Sequence, residues 1–262
     1  MFAMLQERGG FGSASSVEQL HGLAEVGLRA FADRMRWMRE DHSASDSLPS
    51  LVSAPTLDRL LRNFDTRKHT SSGAFNPAPV ARPENPAATS FVALDIGGSA
   101  VACALTMNNN FGTGRMARGT GILLAAVPSA QGRGPTSLGP MLAVNSFTKQ
   151  LFFAGAASGG VAAPTALMNV AARALLAEQP IETAIRARRI HHGGAPDITY
   201  YEPGISREDV IALTALGHTV AATPQLGLVN AIDCPEGMPR RRNTCTAITD
   251  PRGSGSASSV AQ

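Results

Sequence analysis

The residues best placed to do chemistry lie at the start of one apolar segment, directly after a stretch rich in proline, asparagine and alanine. Thr89 opens this segment over 89–95, Gly97-Gly98 turns the chain, and a second apolar stretch over 100–107 ends in an asparagine- and glycine-rich loop. A threonine in this place suits an enzyme that cleaves its own backbone and uses the freed residue as its nucleophile. The released α-amino group, with a pKa of about 7.7–8.0, can act as base for the adjacent hydroxyl. The segment therefore predicts self-processing before Thr89.

The surrounding pattern indicates how this segment is positioned. The near-continuous apolar character of 89–95 and 100–107 is typical of strands covered on both faces, as in a layered α/β protein. Strands and helices then follow in groups rather than in strict alternation, which favours stacked sheets over a doubly wound sheet. Residues 119–125 are predicted to form a turn followed by a buried strand. The other predicted strands are 141–144, 150–154, 219–222, 230–232 and 245–249, and the predicted helices are 165–178, 181–190 and 206–216.

The N-terminal part is predicted to be helical. Ser15 and Glu18 have the spacing of a capping box, with an acceptor hydroxyl followed by a carboxylate three residues later, and a helix follows to about Arg39. A short helix is predicted over 56–63. From 69 to 88 the composition changes to Ser, Gly, Pro, Asn and Ala, which cannot bury enough surface to offset the entropy of ordering. We therefore expect a mobile linker at 69–88 and a disordered tail at 254–262.

Composition and charge exclude several classes of function. With 262 residues, 44% of them hydrophobic, and a net charge of +3, the chain is typical of a globular protein with a sizeable core. Arg240-Arg241-Arg242 has no interleaved aromatic residues, so we expect no nucleic-acid binding. The uncharged run 151–172 is long enough for a bilayer, but glycines and Pro164 interrupt it, so a strand, a turn and a buried helix are expected instead. Met1 to Gly10 has no apolar signal core, so the chain as written is expected in the cytoplasm.

Cysteines and histidines form no metal or redox pattern. Cys103 lies in an apolar strand and is expected to be a small core residue, while Cys234 and Cys245 could bridge a C-terminal loop in an oxidising compartment. His191-His192 is better explained as a partly buried or capping pair than as a metal or base site, because neighbouring histidines do not converge. We expect no metal and no cofactor.

An ordered set of short glycine-containing segments runs through the second part of the chain. It comprises the hairpin described above, Phe111-Gly112-Thr113-Gly114, Gly119-Thr120-Gly121-Ile122-Leu123-Leu124, Ser158-Gly159-Gly160, Tyr200-Tyr201-Glu202-Pro203-Gly204 and Thr249-Asp250-Pro251-Arg252-Gly253. In order and spacing over 89–253 the set resembles the small-subunit region of the gamma-glutamyltranspeptidases (glutathione hydrolases). Residues 15–65, with Phe31-Ala32-Asp33-Arg34, resemble the end of that family's large subunit.

The resemblance implies an N-terminal nucleophile hydrolase fold. This is an α/β fold, a four-layer αββα sandwich with two sheets between helical layers. In this chain the sandwich is expected to be incomplete at the N-terminus. The chain then divides into a helical segment 1–68, the linker 69–88, a small-subunit-like domain 89–253 and the tail 254–262. A small gamma-glutamyl or other amide substrate is implied, with a separate large subunit or a homo-oligomer as partner. Family members are often exported on a signal, which leaves the compartment open.

The resemblance assigns roles to five positions. Thr89 is the candidate nucleophile, released by autocleavage, and Thr106 matches a second-strand threonine that supports it. Asn108 matches an asparagine that contacts substrate, while Gly159 and Gly160 match a pair whose backbone amides face the oxyanion. A purely structural interpretation stays open, in which the threonines begin and end strands, Asn108 lies in a polar turn and the glycines form a tight turn.

Other positions depart from the family pattern. Aligning the hairpin turn without a gap puts Ala88 at the nucleophile's position, and a one-residue slip turns Thr89 to the opposite face of its sheet. Val127 and Ala130 replace a carboxamide and a carboxylate that hold the glutamyl amino group, and 142–144 replaces paired serines. Two hypotheses follow. The chain is a self-processing gamma-glutamyltransferase or glutathione hydrolase-like amidohydrolase, or it is an inactive homologue that serves as a binding or assembly subunit.

Overall fold

The computed structural model describes residues 1–38, 45–75, 88–127, 139–241 and 244–259. These residues form two compact units, neither of which is continuous in sequence. The first unit contains the described residues of 1–82 with 176–178 and 188–226, and the second contains those of 83–175, 179–187 and 227–262.

Helices make up the N-terminal part of the first unit. The long helix α2 (Ser16–Trp37) begins where predicted, because the Glu18 N–H donates to Ser15 Oγ at 3.4 Å and the Ser15 N–H donates to the Glu18 carboxylate at 2.8 Å. This reciprocal capping box satisfies N–H groups that have no partner within the helix. The other helices of the unit are α1 (Phe2–Arg8), α3 (Leu48–Leu51), α4 (Ala54–Leu61) and α7 (Arg207–Ala215).

A three-stranded sheet completes the first unit. Strand β5 (Ile190–His192) pairs antiparallel with β6 (Thr199–Tyr201), and β6 pairs parallel with β7 (Val220–Ala222). Because β6 pairs with both other strands, it is the central strand of this sheet.

Residues 69–75, at the start of the predicted linker, are packed within the first unit. They include a short 3-10 helix over Ser72–Ala74, and the Ser72 N–H donates to the Asp197 carboxylate at 2.9 Å. Hydrogen bonds therefore order a stretch whose composition offers little apolar surface. Residues 76–87 of the predicted linker lie outside the described residues.

The second unit is built on a four-stranded antiparallel sheet. Its order is β3-β4-β8-β9, and the central strand β4 is buried along nearly its whole length. Helix α5 packs on this sheet, and a disulfide joins Cys234 of β8 to Cys245 just before β9. The elements are β3 (Met141–Val144), β4 (Leu151–Ser158), α5 (Ala163–Leu175), α6 (Ile181–Arg186), β8 (Leu228–Met238) and β9 (Thr246–Thr249).

The predicted strand, turn and helix over 151–172 are confirmed by β4 and α5. Among the residues that the structure describes, no helix has the length and apolarity needed to cross a bilayer.

A separate hairpin packs on the four-stranded sheet. Its strands are β1 (Ala88–Leu94) and β2 (Ala100–Thr106), close to the predicted bounds. Val92, Leu94 and Ala100 contact a buried cluster that includes Leu151 and Ile232. The opposite face of the hairpin is open, with Phe91 46%, Val101 50% and Leu105 53% exposed. The expectation that both faces of these strands are covered is therefore wrong for this chain.

The prediction of an α/β chain is confirmed, and the four-layer order of the sandwich stays a prediction. Leu123 in the predicted strand 119–125 forms only an isolated bridge to Met116, and both side chains are exposed, so a buried strand there is wrong. The two units also differ from the predicted segments 1–68 and 89–253, because residues 188–226 pack with the N-terminal helices.

Candidate active site

The register of the hairpin decides which residues share a face at its open end. Ala88 lies directly opposite Thr106, and Thr89 lies opposite Leu105. Residues directly opposite each other in an antiparallel pair point to the same face of the sheet. Thr106 therefore shares its face with Ala88, while Thr89 shares the exposed face of Phe91 and Leu105.

Two hydrogen-bonded side chains identify the face that points toward the sheet. Ser90 is buried, and its Oγ donates to the Ala156 carbonyl in β4 at 3.1 Å. Asn230 of β8 donates from Nδ2 to the Ser90 carbonyl at 2.7 Å and to Ser90 Oγ at 3.0 Å. Because side chains alternate along a strand, Ala88 and Thr106 lie on this inner face with Ser90, and Thr89 points away from it.

Thr106 and Asn108 are brought together where β2 ends. The Asn108 N–H donates to Thr106 Oγ1 at 3.1 Å, and Asn108 adopts a left-handed backbone with φ 57°. Its Nδ2 donates to the Ala126 carbonyl at 2.8 Å, and the Ala126 N–H donates to the Met107 carbonyl at 3.0 Å. These bonds fix the polar turn predicted after the second strand.

The two glycine motifs after the hairpin pair with each other. The Thr113 N–H donates to the Leu124 carbonyl at 2.9 Å, and the Leu124 N–H donates to the Arg115 carbonyl at 2.8 Å. Gly112 has φ +58°, and a Cβ there would lie 2.1 Å from the Leu124 carbonyl oxygen. Only glycine fits this crossing, which explains the Phe111 to Gly114 motif by close packing of backbone.

Gly159 and Gly160 form a buried turn between β4 and α5. Their φ angles are +127° and +62°, and a Cβ on Gly159 would lie 2.4 Å from the Gly227 Cα. Backbone packing against Gly227 is thus sufficient to require glycine at 159. A substitution of Gly159 would therefore disturb folding, so a loss of activity in such a variant would not show a catalytic role.

The positions that depart from the family pattern carry no polar group in this structure. Val127 is 84% exposed, and Leu142 and Val144 of β3 are also exposed. Ala130 lies outside the described residues.

Two further family-like motifs have structural roles. In the first unit, buried Glu202 accepts hydrogen bonds from the backbone N–H groups of Arg189 at 3.0 Å and Leu226 at 2.9 Å. In the second unit, Asp250 accepts from the Val229 N–H at 2.8 Å and from the Arg252 N–H at 3.0 Å. Both carboxylates satisfy buried backbone donors, which explains the motifs without assigning them chemistry.

Ser90 and Asn230 are the site residues that sequence reasoning missed. The available signal was an amide flanked by apolar residues in Leu228-Val229-Asn230-Ala231-Ile232, since a polar side chain in a buried strand needs a partner. In the same strand, burial and then the charge of Glu182 raise the pKa of Asp233 to about 6. Among the described residues, the clusters of histidine and carboxylate groups able to ligate a metal belong to the first unit and contain none of these residues.

Two solved structures illustrate the architecture that this chain shares with known proteins. Gamma-glutamyltranspeptidase from Pseudomonas nitroreducens, in a complex with L-DON, has a TM-score of 0.53 at 23% identity, covering 66% of this chain and 100% of that chain. Cephalosporin acylase from Bacillus halodurans has a TM-score of 0.70 at 18% identity, covering 95% of this chain and 46% of that chain. At these identities the likeness shows the fold alone.

Sequence comparison gives the family. The glutathione hydrolase proenzyme of Escherichia coli K12 is 26% identical over an alignment of 246 residues, which covers 85% of this chain and 42% of the relative. The proenzyme of Pseudomonas aeruginosa is 25% identical over 234 residues, and the match spans 41% of its length. The chain thus spans less than half the length of these curated relatives. The family model described as Gamma-glutamyltranspeptidase matches residues 3–260, so this chain belongs to the gamma-glutamyltranspeptidase family.

Proposed function

We propose that the chain acts as a gamma-glutamyltransferase or glutathione hydrolase-like amidohydrolase on small gamma-glutamyl or related amides. The match to the family over 3–260 carries this proposal. Thr106 and Asn108, joined at the end of β2, and the glycine turn before α5 support it. The active form in this proposal completes a four-layer αββα sandwich.

The proposed reaction begins with self-cleavage: the Thr89 hydroxyl attacks the Ala88 carbonyl carbon, the acyl group moves from nitrogen to oxygen, and water hydrolyses this ester, which leaves a carboxylate on Ala88 and frees the Thr89 amine. That amine takes the proton from the Thr89 hydroxyl as the oxygen bonds to the substrate's acyl carbon. The C–N bond then breaks, and the leaving amine receives the proton. Water, or an acceptor amine, attacks the resulting ester and regenerates the hydroxyl. Backbone N–H groups of Gly159 and Gly160 are the proposed oxyanion donors.

A specific observation favours a second candidate function, that of a non-catalytic binding or assembly subunit. The residue opposite Thr106 on the inner face is Ala88, which has no hydroxyl, and Thr89 points to the other face. Val127 also offers no partner for a charged amino group. In this candidate the scaffold is retained and the nucleophile is absent.

One set of variants separates the two candidates. Purified protein is incubated, its N-termini are sequenced, and release of p-nitroaniline from gamma-glutamyl p-nitroanilide is followed. The enzyme candidate predicts a new terminus at Thr89 and turnover, both abolished by Thr89→Ala and both retained by Cys103→Ala in the same hairpin. A chain that stays whole and inactive contradicts that candidate.

The second candidate has its own positive test. Ala88→Thr places a hydroxyl on the inner face opposite Thr106, and Ala88→Val is its nearly isosteric control without the hydroxyl. If the scaffold lacks only its nucleophile, Ala88→Thr gains self-cleavage and Ala88→Val does not. Failure of Ala88→Thr to cleave, in a variant with unchanged melting temperature, contradicts a competent scaffold.

We also propose that a second polypeptide covers the open face of the hairpin. This face carries Phe91, Val101 and Leu105, and all three side chains are exposed. A polypeptide that resembles the family's large subunit is the proposed partner, and a homo-oligomer of this chain is the alternative.

A further inference from the structure

The first unit holds a buried cluster of histidines and carboxylates that the proposed function does not use. His21 and Glu25 lie one turn apart on α2, and His218 follows α7. Each is at most 2% exposed, and the nearest ligand atoms of the three lie within 4.8 Å of one another. We propose that His21 Nδ1, His218 Nε2 and the Glu25 carboxylate form a binding site for a divalent transition-metal ion, with Zn²⁺ the best match.

Hydrogen bonds determine which nitrogens are free to ligate. His21 Nε2 lies 2.8 Å from the Asp65 carbonyl oxygen, so Nε2 carries a proton and donates it. His21 Nδ1 then holds a lone pair when the ring is neutral, and it faces His218 Nε2 at 2.8 Å. Two N–H groups cannot face each other at this distance, so at most one proton lies between the rings.

A metal ion can take the position between the two rings without removing a proton from the pair, because the proton that lay there can move to the outer nitrogen of His218. His218 Nδ1 lies 2.9 Å from Thr199 Oγ1, a hydroxyl that can donate or accept. When the metal takes Nε2, the His218 proton moves to Nδ1 and donates to Thr199. The Asp65 carbonyl and the Thr199 hydroxyl then hold the outer ring nitrogens, as partners of metal-bound histidines do.

The required adjustment of the two rings is small. Two Zn–N bonds of about 2.0–2.1 Å at a tetrahedral angle separate the nitrogens by about 3.4 Å. The His21–His218 pair, now at 2.8 Å, therefore opens by about half an ångström on binding.

Glu25 has a lone pair left for a metal. Its Oε1 accepts from His69 Nδ1 at 2.6 Å and from the Thr70 N–H at 3.1 Å, and its Oε2 accepts from Arg29 Nη1. A carboxylate has about four acceptor positions, and one on Oε2 is unused by these bonds. The cationic groups Arg29 and His69 on the same carboxylate lower the affinity, which favours nitrogen-preferring Zn²⁺ over Mg²⁺ or Ca²⁺.

The neighbouring cluster of His69, His192 and Asp197 does not offer an equivalent site. Both ring nitrogens of His69 face carboxylates, Nδ1 toward Glu25 and Nε2 toward Asp197 at 3.0 Å, so this ring holds both protons. His192 Nδ1 accepts from the Gly194 N–H at 3.1 Å, so its Nε2 keeps the proton that it donates to Asp197 at 3.1 Å. The metal is therefore assigned to His21, Glu25 and His218.

A cavity lies beside the proposed site, within the same unit. This cavity of about 310 Å³ is lined by His21 together with Arg8, Phe11, Glu18 and Thr66. Glu18 brings a carboxylate to this cavity, although Arg8 opposes its charge.

The test is direct titration of the whole chain, freed of metal by a chelator, with Zn²⁺ in a calorimeter. We expect one ion per chain, a higher melting temperature with Zn²⁺, and at least tenfold weaker binding for His218→Gln and for His21→Gln. His192→Gln removes an equally buried histidine of the neighbouring cluster and is the matched control, with binding unchanged. Absence of stoichiometric binding, or equal losses in the His192 and His218 variants, overturns the proposal.

A second measurement keeps the proposal testable if the variants do not fold. Co²⁺ is added to the metal-free wild-type chain, and its visible absorption is recorded. Ligand-field bands of a four-coordinate ion, displaced by equimolar Zn²⁺, support the site. A spectrum identical to that of hexaaquo Co²⁺ overturns it.

Discussion

Individual polar residues fix the position of β1 in the second unit. Asn230 contributes two hydrogen bonds to Ser90, and Ser90 contributes one to β4. If β1 shifted along the sheet, Val92 and Leu94 could still find apolar contacts. The hydrogen bonds are directional, so only one placement of β1 allows them. Asn230 therefore specifies how β1 is placed on the sheet, with Ala88 and Ser90 on the inner face.

We predict that Asn230→Ala destabilises the second unit. The substitution leaves the Ser90 carbonyl without its donor, and loss of a partner for a buried group costs about 1–3 kcal/mol. Urea unfolding measures the change in free energy of unfolding. The exposed residue Asn110 is the control, because Asn110→Ala removes the same atoms and should change stability by less than about 0.5 kcal/mol. Equal stability of both variants would contradict this role of Asn230.

At the same scale, the sequence predicted which elements carry the proposed site residues but not which face each side chain occupies. The hairpin, Thr106, Asn108 and the glycine turn were each predicted in the right element. The face of Thr89 was not decidable, because a shift of one residue reverses every side chain and the apolar pattern of 88–95 is nearly continuous. The hydrogen bonds of Ser90, made with residues far away in sequence, settle the orientation of the strand.

Helices and turns whose sequence signals are local were predicted well. The packing partners that cover the faces of the strands were not. The capping box of α2 and the Gly97-Gly98 turn depend on residues a few positions apart, so the sequence contains their cause. An apolar strand shows only that its faces avoid water. It does not show whether this chain or another covers them, which is why the expected burial of both hairpin faces was wrong.

The open face of the hairpin predicts association of the isolated chain. Phe91, Val101 and Leu105 form an exposed apolar surface on neighbouring strands, and such surfaces favour protein contacts. Light scattering after size exclusion should show a mass that rises with concentration, and Phe91→Lys with Leu105→Lys should reduce it. Phe147, 93% exposed in a turn, provides the control Phe147→Lys, which should leave association unchanged. A wild-type chain that is monomeric at every concentration would refute this.

For the molecule as a whole, chain order did not predict the division into units. Residues 188–226 join the N-terminal part of the chain through contacts such as His69 with Asp197 and His21 with His218, which link positions far apart in sequence. Composition predicted a domain boundary near 69–88 because composition reflects only local changes along the chain. Polar side chains that pair at long range leave no periodic pattern, so their effect on the fold could not be anticipated.

Two titratable groups, one in each unit, make opposite contributions to the pH dependence of stability. In the first, burial and then the charge of His192 lower the pKa of His191 from 6.5 to about 3, so stability from its neutral ring is complete above 6.5 and is lost as pH falls toward 3. In the second, the folded-state pKa of Asp233 is raised from 3.8 to about 6. The unfolded chain then releases this proton first, and the second unit loses stability as pH rises from 3.8 through 6.

We therefore predict that Asp233→Asn stabilises the second unit only at the higher pH. Above pH 6 the wild-type unit must hold a half-buried carboxylate near Glu182, and the amide removes that charge. Melting temperatures of variant and wild type should differ above pH 6 and converge below 3.8. Glu182→Gln should give a smaller gain, since burial is the larger cause of the shift, and exposed Asp58→Asn should give none. A gain of equal size at both ends of the range would mean that Asp233 acts through packing rather than through its charge.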